Sequence, residues 1–203
     1  MKIEESIKIN LKKNQSCLVN LDTKLDQIKK ITEQLIDARD AGKIIFTMGN
    51  GGSGSTSSHF VSDLLKTAIT NDSKRFKAIS LVDNIPVNLA WSNEVSYDSI
   101  FEEQLKNFLN KGDIVLAFSG SGNSANVVNA LKYAKTKGAI SIAISGMSGG
   151  EISKLSDISL VVPSNDMLII ESMHLLICHC ITNAIREQGT DRKSTRLNSS
   201  HRC

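Results

Sequence analysis

Two short segments hold most of the residues able to do chemistry. The first, SHFVSDLLK, carries His59 and Asp63; the second, ESMHLLICHC, carries Glu171, His174 and His179. On a helix, residues four apart share a face, so His59 and Asp63 point the same way. Imidazole beside carboxylate can hold a zinc ion or move protons. A histidine on an apolar helix face is more often a core residue, and His174 reads that way. For His59 and His179, the company of Asp63 and Glu171 points to a site. Cys178 and Cys180 lie in an apolar helical pattern and read as core fillers. A metal-binding CxC pair is the alternative, but no second cysteine pair completes a zinc set.

Two glycine–serine loops are the other chemical feature. Gly49-Asn-Gly-Gly-Ser-Gly-Ser55 has no P-loop lysine and lacks the dinucleotide spacing. Ser119-Gly-Ser-Gly-Asn-Ser124 runs straight into a helix, where hydroxyls and free backbone N–H groups suit a phosphate dianion. Neither loop carries Lys or Arg, so neutral donors would hold the anion, and the phosphate would serve as a handle. Each loop could be only a capped turn; two of them, each between a strand and a helix, favour binding.

The elements that must position these residues alternate. Apolar residues at three- and four-residue steps from Ile3 to Leu35 predict two helices, at about 3–19 and 22–41. Strands are expected at 43–48, 78–82, 113–118, 139–144 and 158–162. Helices are expected after each loop, to about Lys66 and over about 126–137, and a long helix at about 166–187 closes the pattern. Continuous apolar strands alternating with helices imply a five-stranded parallel sheet covered on both faces, a doubly wound α/β fold with two N-terminal helices at 3–41. Ligands in such sheets bind beyond the carboxyl ends of the strands, where both loops fall.

Of 203 residues, 40% are hydrophobic and 22% charged, enough to bury a core and too many for a disordered class. The last residues, DRKSTRLNSSHRC, have no periodicity, and Asp191–His201 resembles the translation of a sequencing adapter. We therefore expect residues 1–190 to form one domain and 191–203 to be a non-native tail, disordered and dispensable. The formal net charge is +3; without the tail's four bases and one acid, 20 of each remain, and the hint of nucleic-acid binding goes with them. An odd cysteine count in the remainder argues for reduced thiols. The opening MKIEESIKINLKK has no apolar h-region, and no apolar run reaches membrane-spanning length. The expectation is a cytoplasmic protein without nucleic-acid or membrane partners.

The segments GNGGSGSTSSHFVSDLLK (49–66), SNEVSYDSIFEEQL (92–105), GDIVLAFSGSGNSANVVNALKYAKTKGA (112–139) and VPSNDMLIIESMHLLICHCI (162–181) resemble the sugar isomerase (SIS) family, within it the phosphoheptose isomerases. The resemblance implies a flavodoxin-like SIS fold and aldose–ketose isomerisation of a phosphosugar, sedoheptulose 7-phosphate to D-glycero-D-manno-heptose 7-phosphate, for lipopolysaccharide or capsule. It implies zinc and no nucleotide or redox cofactor, a homotetramer, and active sites between subunits. By position, the zinc ligands are His59, Asp63, Glu171 and His179, with Asp63 in place of the family's glutamate and Glu171 in place of its glutamine. Asp63 and His179 match the acid/base pair. Asn50, Gly51, Gly52, Ser53, Ser119, Gly120, Ser121, Ser124 and Glu171 match the substrate and phosphate contacts, and Asn93 and Glu94 an asparagine–aspartate pair on sugar hydroxyls. Glu171 and His179 are about 12 Å apart along a straight helix, so meeting at one ion needs an irregular helix or a second subunit. SIS domains also serve as sugar-phosphate sensors and protein scaffolds, a second reading that lacks a need for the histidine–carboxylate set.

Overall fold

The computed structural model describes residues 2–70 and 74–200, and beyond residue 188 the backbone only. Helix α1 (Ile3–Leu21) leads through a 3-10 turn (Asp22–Lys24) into α2 (Leu25–Asp40). Strand β1 (Ile44–Met48) and helix α3 (Gly51–Ser62) follow, with a π turn at Asp63–Thr67. After β2 (Lys77–Ser80) come α4 (Ile85–Glu94) and α5 (Ile100–Phe108). Then β3 (Ile114–Ser119), α6 (Ala125–Thr136), β4 (Ile140–Ser145), α7 (Gly150–Leu155), β5 (Ile158–Val161) and α8 (Met167–Ser200) complete the order. The strands form one parallel sheet in the order β2-β1-β3-β4-β5. This is the flavodoxin-like winding, whose order reverses between β1 and β3 and opens a ligand crevice there.

Successive side chains of a strand face opposite sides, and both sides of this sheet are covered. Ile45, Leu116, Phe118 and Ile144 pack with Leu35, Phe60 and Ile177 under α2, α3 and α8. Phe46, Val115 and Ala117 pack with Phe101, Leu105 and Leu131 under α5 and α6. All six residues of β3 are buried, as a central strand covered twice requires.

The expected helical pair and all five strands are present, with ends shifted by a few residues. Helices α4, α5 and α7 were not foreseen. The segment α4 has no buried residue and so no inward stripe to betray it. A further correction concerns the first loop, expected to run to Ser55: the chain is helical from Gly51. Its poor helix formers (GGSGSTSS) are held by tertiary contacts rather than by propensity. The last helix was expected to stop near Glu187, and its backbone continues to Ser200. What the expectation of a non-native tail turns on, the side chains of 191–200 and all of 201–203, lies outside the described residues. By length and composition Met167–Gln188 is apolar enough to cross a membrane, against the sequence expectation. However, Ile170, Ile177, Cys178 and Ile181 on this helix have no exposure, so it serves here as a core helix.

Candidate active site

The crevice at the switch point holds a cavity of about 210 Å³ lined by Asn50, Ser53, Ser119, Gly120, Ser121, Ser124, Met167 and Glu171. Seven of these eight were expected as ligand contacts; Met167 was not. Strand β1 delivers Asn50 and α3, strand β3 delivers Ser119, and the start of α8 closes the far side. Helices α3 and α6 both begin here, with caps Asn50 and Ser124 that make no side-chain capping bond. Apart from the Val127 N–H, which donates to Asn126 Oδ1 at 2.9 Å, their first-turn N–H groups face an anion site supported by the positive ends of both helices. The lining contains no Lys or Arg, and its only charge is the Glu171 carboxylate.

Close backbone packing shapes this cavity. A Cβ on Gly52 would meet the Glu171 carboxylate, so a larger residue there would move that flexible side chain off the start of α3. Gly122 has φ +71, and a Cβ there would stand 2.0 Å from the Gly149 carbonyl oxygen. Asn50 is fixed by residues that sequence reading missed. Its amide exchanges two bonds with that of Asn126, both 2.9 Å, and its Oδ1 accepts from the Tyr97 hydroxyl at 2.7 Å. Tyr97 and Asn126 both lie within segments noted in the sequence, Asn126 two residues past the second loop; polar residues in such positions gave no periodic signal.

The serines and threonines of α3 dock the helix on the sheet. The Ser57 hydroxyl donates to Thr47 Oγ1 at 2.7 Å and lies 3.1 Å from Ser80 Oγ. The neighbouring Ser58 hydroxyl donates to the Asp83 carboxylate. These bonds tie α3 to β1 and β2, and so orient His59 and Asp63 further along.

His59, Asp63 and His179 do come together. The two imidazole Nε2 atoms are 3.0 Å apart, and Asp63 Oδ2 lies 3.6 Å from His59 Nε2 and 3.7 Å from His179 Nε2. Oδ2 is buried and has no hydrogen-bond partner, an expensive state for a carboxylate oxygen. Ligands at zinc–nitrogen distances of about 2.0–2.1 Å in a tetrahedron stand about 3.3 Å apart, which the triangle matches. The donor set and the orphaned oxygen fit a divalent ion. Among the described residues, Glu171 is outside this group; eight residues upstream on a regular helix, its carboxylate is beside Gly52 instead.

Other expected residues fall elsewhere. Asn93 and Glu94, at the end of α4, are exposed and do not line the cavity. Gly51 starts α3 at φ +53 beside the lining residues. His174 is fully buried, its ring centroid 6.0 Å from that of Phe118. Burial pushes its pKa down to about 4, against a raising contribution from the Ser145 backbone, so it is neutral. Cys178 is buried as expected, and burial, then the charge of Asp63, pushes its thiol well up. Cys180, expected as a core filler, is exposed because its helix position faces away from the sheet.

The SIS domain family matches residues 11–146. The phosphoheptose isomerase of Aliarcobacter butzleri is 35% identical over 165 residues, 81% of this chain and 87% of its own. That of Clostridium acetobutylicum is 33% identical over 186 residues, 92% of this chain and 94% of its own. The solved structure of a phosphoheptose isomerase from Francisella tularensis superposes with a TM-score of 0.86 at 26% identity, covering 92% of this chain and 100% of its own.

Proposed function

The chain belongs to the SIS domain family and to its phosphoheptose isomerases, and from that membership we propose that it interconverts sedoheptulose 7-phosphate and D-glycero-D-manno-heptose 7-phosphate. The observation that carries this reading is the pairing of two clusters on the same two helices. The anion cavity uses Ser53 and Glu171; the His–Asp–His triangle uses His59 and His179. Six residues of α3 and eight of α8 separate them, about 9 and 12 Å along the helix axes. An extended seven-carbon chain with phosphate at one end and the reacting carbonyl at the other suits that separation.

Isomerisation moves a proton between two neighbouring carbons through an enediol, so it needs a base at the carbon and an acid at the oxygens. Asp63 and His179 are the pair we assign. His59 and Asp63, with His179, would hold a divalent ion, zinc by the character of the donors. Such an ion would polarise the carbonyl and stabilise negative charge on its oxygen. Three protein ligands of this kind would be the number found in catalytic zinc sites. A ligand bound to the ion is a weaker base, and Asp63 and His179 stand in both sets, so the carbon proton falls to whichever of the two the ion leaves unbound. Ser119, Ser121 and Ser124, with Gly120 and the N-termini of α3 and α6, hold the phosphate; Asn50, Gly51, Gly52 and Ser53 hold the sugar. Glu171 accepts from sugar hydroxyls rather than completing the metal set, because its carboxylate lies in the cavity. Asn93 and Glu94 would serve a site only across a subunit boundary.

We further propose residues 1–190 as one SIS domain acting in a homotetramer, in the cytoplasm where phosphosugars are made, in heptose synthesis for lipopolysaccharide or capsule. No nucleotide or redox cofactor is needed, since the reaction moves no net electrons between molecules. The test is metal analysis of a chain ending at Thr190 together with an isomerase assay on heptulose and pentulose phosphates. Turnover lost with chelator and restored by zinc supports the reading. No turnover on any phosphoketose, with or without zinc, would replace it with a sugar-phosphate sensor or scaffold.

A further inference from the structure

Asp63 presents its two carboxylate oxygens to different partners. Oδ2, buried and without a hydrogen bond, lies between the imidazoles of His59 and His179. Oδ1 accepts a hydrogen bond from the Thr67 hydroxyl at 3.1 Å. Both residues belong to the π turn that ends the α3 helix at Asp63–Thr67, where the Ala68 N–H reaches back five residues to the Asp63 carbonyl at 2.8 Å. Here the turn starts at the one carboxylate of the triangle and ends at the residue that grips it.

Resting on the metal reading above, we propose that Thr67 is the positioning residue of this site: its hydroxyl fixes the Asp63 carboxylate so that Oδ2 faces the histidines. The physical need is specific. An aspartate's last torsion is broad and roughly two-fold, so nothing internal to Asp63 decides which oxygen faces the imidazoles or at what angle. Each His ring is about half exposed, with a side-chain exposure of 48%, whereas that of Asp63 is 14%. The carboxylate is thus the least exposed corner of the triangle, against which the two more exposed rings must close. A donor on Oδ1 removes the rotation and leaves Oδ2 as the available ligand atom. Groups that orient a metal ligand in this way typically govern affinity by about 10- to 100-fold.

The experiment is zinc(II) affinity by competition with a chromophoric chelator, on the full chain and on Thr67→Val, Thr67→Ser and His59→Ala, with metal-free thermal midpoints as the fold control. Thr67→Val keeps the branched shape and removes the donor; zinc affinity should fall about 10- to 100-fold while the metal-free midpoint stays near that of the parent. Thr67→Ser keeps the hydroxyl and should restore most of the affinity. Parental affinity in Thr67→Val, or a Thr67→Ser as weak as Thr67→Val, overturns the role of the hydroxyl. A loss in His59→Ala alone leaves the metal reading standing and overturns the Thr67 inference. Zinc binding that survives His59→Ala overturns the metal reading and this inference with it.

Discussion

At the scale of single residues, the histidines divide by environment. His59 and His179 are exposed partners in a triangle, and His59→Ala or His179→Ala should each strip the bound metal and most of the turnover, read by metal content and initial rates. His174 is a buried neutral ring whose pKa is pressed to about 4 from an ordinary value of 6.5. The unfolded chain therefore takes up this proton more readily than the folded one. Its contribution to stability is full above pH 6.5 and is lost as the pH falls toward 4, up to about 3 kcal/mol. Urea midpoints of chelated protein measured from pH 7.5 to 4 should fall more steeply for the parent than for His174→Gln, which has no proton to take up. Equal slopes would place the acid sensitivity in other groups. Glu171 separates from the triangle, so Glu171→Gln should leave zinc affinity unchanged within about twofold and change the KM for phosphosugar. A large loss of zinc affinity would bring Glu171 back as a ligand.

At the scale of elements, the site is built where helices begin. The starts of α3 and α6 meet at the β1/β3 switch point, and the reciprocal amide pair of Asn50 and Asn126 joins them across 76 residues of sequence. Asn126 is 1% exposed, so Asn126→Ala empties a buried site and takes from the half-buried Asn50 amide both bonds of the pair, which should cost about 1–3 kcal/mol. It should also raise KM, because Asn50 loses its fixed orientation; urea denaturation and steady-state kinetics measure the two effects separately. Replacing Ser119 and Ser121 by alanine removes two hydroxyls facing the cavity. KM should rise several-fold with little change in unfolding midpoint, and unchanged kinetics would put the phosphate elsewhere.

For the whole molecule, the unusual surface is α1. Ile3, Ile7 and Leu11 are 82, 55 and 65% exposed, and only Cys17 and Leu21 of this helix are buried. An apolar stripe of that length facing water marks an interaction surface. We assign it to further copies of the chain. Ile7→Glu together with Leu11→Glu should shift the mass in light scattering from tetramer toward smaller species while the far-ultraviolet spectrum keeps its helical form. A parent that is already monomeric at micromolar concentration would remove the assignment. The chain ending at Thr190 should match the full chain in mass and thermal midpoint; a marked loss in either would make residues 191–203 part of the fold.

The sequence alone pointed to the parallel sheet, to the two glycine–serine segments that line the cavity and to the histidines and aspartate of the triangle. Those signals are local: an apolar run of five residues, a glycine–serine loop after it, a four-residue spacing on a helix. Tertiary structure decided what depends on pairs far apart in the chain. Strand order brought β1 beside β3 and so placed Asn126 and Tyr97 on Asn50, contacts with no periodic trace. The packing of α8 across Gly52 put Glu171 in the switch-point cavity rather than at the triangle, a choice that the helix register of Glu171 and His179 had already strained. The π turn at Asp63–Thr67 was likewise hidden, because Thr67 falls just past the helix expected to about Lys66 and carries no signal until the backbone widens beneath it. Periodicity reports which side of an element is buried, whereas a polar contact depends on how two elements lie against each other, and only the folded chain sets that.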